Sequence, residues 1–417
     1  MKKSVFILFI VIVFIANKIS AQATHWKRHT IDETSSGADG VRISDVNNDG
    51  LPDITTGWEE GGFTKIYIHP GFNLVRQKWP SVIVGKTSSV EDAVFADLDN
   101  DGVMDVVSST EGNNNCLYIN WAPTNPKDYL TADKWKFQVL PASKLNKQWM
   151  YCVPMQVDGK NGIDLIVGAK NKNAEIGWFK APKNARKLSK WKWFPISSAT
   201  WVMSIFSKDM DNDGDLDIVV SDRKSGPTQG IRWLENPGKL RRQKKEWKNH
   251  FIGCQGLEVM FIDLKDLDGD GLEDVIATEA TTRKIWFFKR LDKSGIYWKP
   301  FSIAIPEFTS KPKSVVVGDL DKDGKPDLVH SFEKVKGEKE GVYWLSYKNI
   351  PTDSNWQWHT ISGSVGIKYD KIELVDLDGD GDLDVLTCEE NYGADSKGLG
   401  VIWYENQLGE SDDKNNK

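Results

Sequence analysis

Residues 266–274 read DLDGDGLED, and the pattern D-x-[DN]-x-D-G-x-x-D occurs five more times in the chain. The other copies are DVNNDGLPD from Asp45, DLDNDGVMD from Asp97, DMDNDGDLD from Asp209, DLDKDGKPD from Asp319 and DLDGDGDLD from Asp376. A worn copy, QVDGKNGID, starts at Gln156. Successive starts lie 52, 59, 53, 57, 53 and 57 residues apart, so the chain repeats one unit seven times. A short apolar run enters each loop, as in Ala93–Ala96, and a β-rich run leaves it, as in Asp217–Val220. A third run carries paired large residues, such as Trp178–Phe179 and Trp403–Tyr404. A fourth is a Trp followed by Ile or Val, as in Trp247–Ile252 and Trp298–Ile303. Short runs bounded by turn residues read as strands. Four strands per unit predict an all-β, seven-bladed β-propeller of four-stranded blades. The last unit has a third strand but no fourth, and Trp26–Ile31 supplies one near the N-terminus. That strand would close the ring and leave no open edge.

The 35 Gly and 18 Trp of the 417 residues suit tight turns and aromatic strands better than a helical bundle. Lys2 and Lys3, the apolar run Val5–Ala16 and the small residues Ser20, Ala21 and Ala23 form a signal segment, 1–21, with cleavage after Ala23 also fitting. The run is short for a span and no second one follows. The expectation is an exported protein, periplasmic or secreted, monomeric and without a membrane span. The propeller should fill 24–406, and the polar tail 407–417 reads as disordered. Cys116, Cys152, Cys254 and Cys388 are widely spaced, which favours buried thiols over an assignable disulfide set. The basic run Leu240–Lys248 reads as a solvated loop, so no nucleic-acid partner is expected.

The loops carry metal chemistry. Alternate carboxylates converge on one side of a turn that the sixth-position Gly permits. The ninth-position Asp returns from the next strand as a further ligand. The ligand set is Asp45, Asn47, Asp49 and Asp53; Asp97, Asp99, Asp101 and Asp105; Asp209, Asp211, Asp213 and Asp217; Asp266, Asp268, Asp270 and Asp274; Asp319, Asp321, Asp323 and Asp327; Asp376, Asp378, Asp380 and Asp384. Hard oxygens in a flexible ring suit Ca²⁺. An EF-hand needs a Glu at position twelve, where these loops hold Thr56, Ser108, Val220, Ala277, His330 and Thr387. Lys160 stands at the third ligand position of the worn loop, so about six Ca²⁺ sites are expected. The motif resembles the FG-GAP/VCBS repeats of integrin α-type propellers, from Trp26 to about Asn406. That resemblance implies calcium in a structural role.

Of the 60 acidic residues, 23 sit at loop ligand positions, so elsewhere the 54 Lys and Arg outnumber the acids despite a formal charge of −6. A basic remainder suits an anionic partner. Loops joining first and second strands share one face of a propeller, and a ligand site is expected on the opposite face near the axis. The repeat register sends Asp39, Glu91, Asp92, Trp149, Tyr151, Trp201, Glu258, Lys313, Tyr369, Asp370 and Lys371 there. Residues after the second strands, including Trp58, Glu59, Glu111, Lys170, Asp222, Arg223, Glu279, Glu389 and Glu390, join them. His29, His250 and His359 recur at one fourth-strand position and read as blade architecture. No G-x-S-x-G, P-loop or HExxH occurs.

The W-x-x-H-x-I strands combined with acidic loops resemble the propellers of aldos-2-ulose dehydratases and of FG-GAP dehydratases from bacterial polysaccharide degradation. The resemblance implies elimination of water from a uronic-acid or related sugar in an anionic, algal-type oligosaccharide. Such chemistry needs a base, a cation for the enolate charge and an acid. Arg223 and Lys371 are candidates to neutralise a uronate, Tyr151 or Tyr369 to shuttle a proton, and Asp92, Glu258 or Glu390 to act as base or bind hydroxyls. The alternative is a non-catalytic, calcium-stabilised glycan- or protein-binding propeller; glycoside hydrolysis by a carboxylate pair is a third reading.

Overall fold

The computed structural model describes residues 25–238, 243, 246–393 and 396–408. The expected signal segment, residues 409–417 of the polar tail, and residues 240–242 and 244–245 of the basic run lie outside them. The described residues form seven four-stranded antiparallel sheets, each running from an inner first strand to an outer fourth. Blade 1 holds Ala38–Ser44, Asp53–Trp58, Phe63–Tyr67 and Ser81–Gly85, and blades 2 to 6 repeat that order. Blade 7 takes Tyr369–Val375, Asp384–Glu389 and Gly400–Glu405 from the C-terminal end and Lys27–Asp32 from the N-terminal end. Lys27 pairs with Glu405 and His29 with Trp403, so the ring closes on the expected strand. No helix among the described residues is long and apolar enough to cross a membrane.

The core lies between the sheets. Trp58, Trp149, Trp178, Trp233 and Trp403 are fully buried there, which accounts for the Trp-rich composition. Truncating one such side chain costs ~3–5 kcal/mol. Blades approach closely at Gly57 and Gly168. A Cβ at either position would meet the first-strand valine of the next blade, Val90 or Val202, at 2.5 and 2.6 Å. All four cysteines are buried free thiols.

The recurring histidines are architectural. His29, His250 and His359 pair across the sheet with Trp403, Trp233 and Trp344 and stack on them at 4.5, 4.2 and 4.0 Å. Their Nε2 atoms reach Glu405, Glu235 and Ser346, each two residues beyond the stacked Trp.

His330 differs. It is fully buried beside Phe332 and shares a hydrogen bond with Thr278 at 2.8 Å. Burial pushes its pKa down to about 3. The fold therefore holds it neutral, while the unfolded chain takes up a proton below its ordinary value of 6.5. A depressed pKa gives stability that is present above 6.5 and lost as pH falls toward 3. The loss amounts to roughly 3–5 kcal/mol. His330→Gln should flatten that acid limb relative to wild type in denaturant titrations from neutral pH downward. Parallel acid limbs in the two proteins would sink the assignment.

Candidate functional site

The two faces of the ring carry different chemistry. On one, position-one carboxylates fold the acidic loops on themselves. Asp45 accepts the N–H groups of Asp49 and Gly50 at 3.1 and 2.9 Å, and Asp97, Asp209 and Asp266 repeat the arrangement. The sixth-position glycines hold φ between 83° and 89°, as the tight turn requires. Asp97, Asp99 and Asp101 bring one oxygen each within 4.8 Å of the others, as do Asp209, Asp211 and Asp213, and Asp266, Asp268 and Asp274. Asp99 Oδ1, Asp268 Oδ1 and Asp319 Oδ1 are buried without a hydrogen-bond partner. Convergent hard oxygens, some of them orphaned, fit a divalent cation.

The ninth-position aspartates do a job that ligand counting misses. Each is buried, and one oxygen accepts the N–H of the residue after position one: Val46, Leu98, Val157, Met210, Leu267, Leu320 or Leu377. In six blades the other oxygen accepts an N–H at or just past the end of the third strand, from His69, Ala122, Ala181, Asn236, Arg290 or Asn406. The carboxylate clips the loop to the sheet. Asp164 makes both bonds, at 3.1 and 2.7 Å, although its loop is the worn one. In that loop the cation on the acidic pole is Lys180, bound to Asp158, rather than the exposed Lys160. Gln156 spans the loop through its amide instead. Lys289 reaches Asp270 at 2.8 Å in the loop of blade 5.

The opposite face holds a cavity of about 260 Å³ on the propeller axis, lined from all seven blades. Each first strand carries a register irregularity near its start, and this is what opens the inner edge to the axis. A bulge turns successive side chains the same way and frees backbone groups from the ladder. Every irregularity sends at least one residue to the cavity, namely Gly40, Glu91, Met150, Met203, Phe261, Lys313 and Asp370–Lys371, while Val41 and Met260 turn into the core. Neighbouring blades catch the freed N–H groups. Asp370 takes that of Gly40 at 3.1 Å, and Ser204 Oγ takes that of Ile262 at 3.2 Å.

The lining is densely ionic. Arg42 forks onto Asp92 at 2.9 and 3.0 Å, and Asp92 also accepts the N–H of Cys152 at 2.9 Å. Arg42 lies over the Tyr151 ring at 3.9 Å. Lys170 bridges Glu91 and Glu111 at 3.0 and 2.6 Å. Lys313 reaches Asp370, Glu390 and Glu333 at 3.1, 3.2 and 3.5 Å, while Lys368 takes the other oxygen of Glu390 at 2.9 Å. Arg223 rests on Trp201 and binds Glu258 at 2.8 Å. Burial, then Glu60 and Glu390, push Glu59 up to about 7. Burial raises Glu91 to about 8 against the pull of Lys170. Burial also raises Tyr151, while Arg42 and Lys371 work to lower it.

Of the seven candidate catalytic residues, the cavity gathers Arg223, Lys371, Tyr151, Asp92 and Glu390. Glu258 sits outside the lining and anchors Arg223 and Lys311. Tyr369 does not face the cavity. It immediately precedes the bulge, its side chain turns into the intersheet core, and its hydroxyl meets Tyr404 Oη at 2.8 Å. Trp149 is buried for the same reason, bonded to Ser143. Trp58 is likewise a core residue, bonded to Tyr67. Asp222, Glu279 and Glu389 tie loops by accepting backbone N–H groups. Asp92 is saturated by three donors and serves to hold Arg42. Sequence reasoning missed Arg42, Met150, Met203, Phe261, Glu333 and Lys368.

An FG-GAP-like repeat model matches residues 45–108 and 266–330. Each match runs from an acidic loop into the second strand of the following blade. No curated protein matches the chain. Two solved structures, crystals of BBS1N in complex with ARL6DN soaked with mercury and with lead, share the architecture at a TM-score of 0.52 each. They are 11% and 10% identical to this chain, cover 92% of it, and are themselves covered to 96% and 97%. At that identity the likeness concerns the fold alone.

Proposed function

Taking the chain as an FG-GAP seven-bladed propeller with an ionic cavity at its axis, we propose that it is an exported dehydratase of anionic oligosaccharides. It would eliminate water from a uronic-acid or related sugar residue. The observation that carries this reading is Tyr151. Among the described residues its hydroxyl has no hydrogen-bond partner, and the residue lines the cavity between Arg42 and Lys371. Once ionised, a phenol flanked by two cations can serve as the base: Arg42 and Lys371 stabilise the phenolate against the burial that on balance holds the group above its ordinary value. The same cations suit a sugar carboxylate and the charge that grows on it as the α-proton leaves. Lys371 also pairs with Glu373, and Arg42 with Asp92, so both are held in place before substrate arrives. Such positioning is where a catalytic site gains most of its rate.

The six intact loops are proposed as structural Ca²⁺ sites. Asp97, Asp99 and Asp101, with their counterparts in the other blades, would hold the ion on the face away from the cavity. Calcium there supplies no chemistry to the elimination and fixes the loops between first and second strands.

The test is incubation of the calcium-loaded mature protein with a panel of uronic-acid oligosaccharides, following ultraviolet absorbance and product mass. The expected result is new absorbance with loss of one water and no chain cleavage. Cleavage would make the protein a polysaccharide lyase. Retention of the sugars without any conversion would replace the dehydratase reading with a glycan-binding one.

A further inference from the structure

We propose that Asp39 holds the proton of the carboxyl cluster where blades 1 and 7 adjoin and is the acid that protonates the departing hydroxyl; the second half rests on the elimination reading above. Asp39, Asp370 and Glu390 meet where blades 1 and 7 adjoin, each with an oxygen within 4.8 Å of the others. Three carboxylates so close do not all stay ionised. The surroundings decide which one holds the proton.

Asp370 accepts the N–H of Gly40 at 3.1 Å on Oδ2 and has one paired cation, the Lys313 ammonium 3.1 Å from Oδ1, an oxygen that is otherwise without a hydrogen-bond partner. Glu390 has two cations, Lys313 at 3.2 Å and Lys368 at 2.9 Å. Among the described residues Asp39 has no cation within ion-pair distance and no N–H donor. It stands instead within hydrogen-bond reach of Asp370. A proton on Asp39 turns that repulsion into an O–H donated to an ionised carboxylate, a strong, charge-assisted bond. The other charged groups facing it agree: Glu59 and Glu91 also each bring an oxygen within 4.8 Å of an Asp39 oxygen. Burial, then Glu390, Asp370 and Glu91, drive Asp39 well above the ordinary carboxylate range, against a weaker pull from Lys313. Burial is the largest influence on Asp370 and raises it, but Lys313, the Lys371 N–H and the hydrogen bond with Asp39 together outweigh burial and leave that group low. The strand irregularity beside Asp39 places it on the cavity wall.

In an elimination the base removes the proton on carbon and the C–H pair becomes the new double bond. The C–O bond then breaks and the hydroxyl leaves as water with the Asp39 proton. The proton taken from carbon returns to Asp39 through solvent, so nothing but water is released.

The measurement is carbon-13 NMR of the calcium-loaded protein labelled at the side-chain carboxyl of aspartate, titrated through neutral pH. One aspartate resonance should stand at the protonated position at neutral pH and move only on the alkaline side. It should vanish in Asp39→Asn and equally in Asp39→Glu, which keeps a carboxyl but leaves it unlabelled. No such resonance in wild type, or its persistence in both variants, overturns the assignment of the proton. On a substrate that wild type dehydrates, Asp39→Asn should lower kcat by ~10²-fold or more with KM little changed; an undiminished kcat overturns the acid role. If wild type converts no uronate, the elimination reading falls and the acid role with it, while the resonance still decides where the proton sits.

Discussion

Asp164→Ala should lower the unfolding temperature sharply, and by the same amount in calcium and in chelator. Asp164 is fully buried and accepts the N–H groups of Val157 and Ala181. Removing it orphans two buried donors at ~1–3 kcal/mol each and leaves a void beside them. Its loop lacks the ligand set, so no metal enters the comparison. Asp99→Asn should behave in the opposite way. Asp99 Oδ1 is buried without a partner and Oδ2 accepts from the part-exposed Arg186; Asn keeps an acceptor for that guanidinium, so the change takes nothing from the sheet. Its effect should appear only with calcium present, where a site filled at a hundredfold over its Kd contributes ~2.7 kcal/mol. Scanning calorimetry of wild type and both variants, with and without chelator, separates the two roles. A small, calcium-dependent loss in Asp164→Ala would remove the clip. An Asp99→Asn effect that persists in chelator would remove the metal.

The fold was legible because one loop is written seven times. The period fixes the blade, and the spare strand at Trp26–Ile31 closes the ring by pairing with Gly400–Glu405. The clip made by the ninth-position Asp was less legible, since the proposed ligand and the clip demand the same residue at the same place. The worn loop carried the signal: it loses ligands at Gln156 and Lys160 yet keeps Asp164. A residue retained where the other expected ligands are absent points to a role other than binding. Lys180 stayed hidden because it lies in another strand, brought to Asp158 only by sheet pairing.

The cavity was half legible, and one geometric fact explains both halves. Repeat register places the starts of the first strands and the ends of the second on the axis, which found Asp39, Glu91, Lys170, Lys313 and Glu390. Register assumes side chains alternate along a strand. The irregularity in every first strand breaks that alternation, so Met150 joins Tyr151 on the wall while Trp149 and Tyr369 turn inward. Nothing in a single sequence marks a bulge formed without glycine, as at Met203 or Lys313. Arg42 was missed for a related reason. It lies beyond the bulge, inside Ala38–Ser44, and its length brings the guanidinium up to Asp92 and Tyr151.

The same geometry sets two tyrosines against each other. Tyr151→Phe should leave stability unchanged and lower turnover by ~10²–10⁴-fold, the usual effect of removing a proton-transfer group. Only a hydroxyl is lost, it has no protein partner among the described residues, and the ring still lies under Arg42. Tyr369→Phe should do the reverse. It removes a buried hydroxyl bonded to Tyr404 and to the carbonyl of Val365, at a cost of ~1–3 kcal/mol, and leaves the cavity wall intact. Lys371→Ala tests the cation beside the phenol. It removes one of two charges that lower Tyr151, so any residual activity should require higher pH than in wild type. The sign follows from the base role: a phenolate that forms less readily moves the rising limb of the pH–rate profile to the alkaline side. The readouts are kcat on an oligosaccharide that wild type dehydrates, its pH profile, and thermal unfolding of each variant. Equal losses of turnover in Tyr151→Phe and Tyr369→Phe would mean that activity follows stability and not the cavity. An unshifted limb in Lys371→Ala would take the base role away from Tyr151.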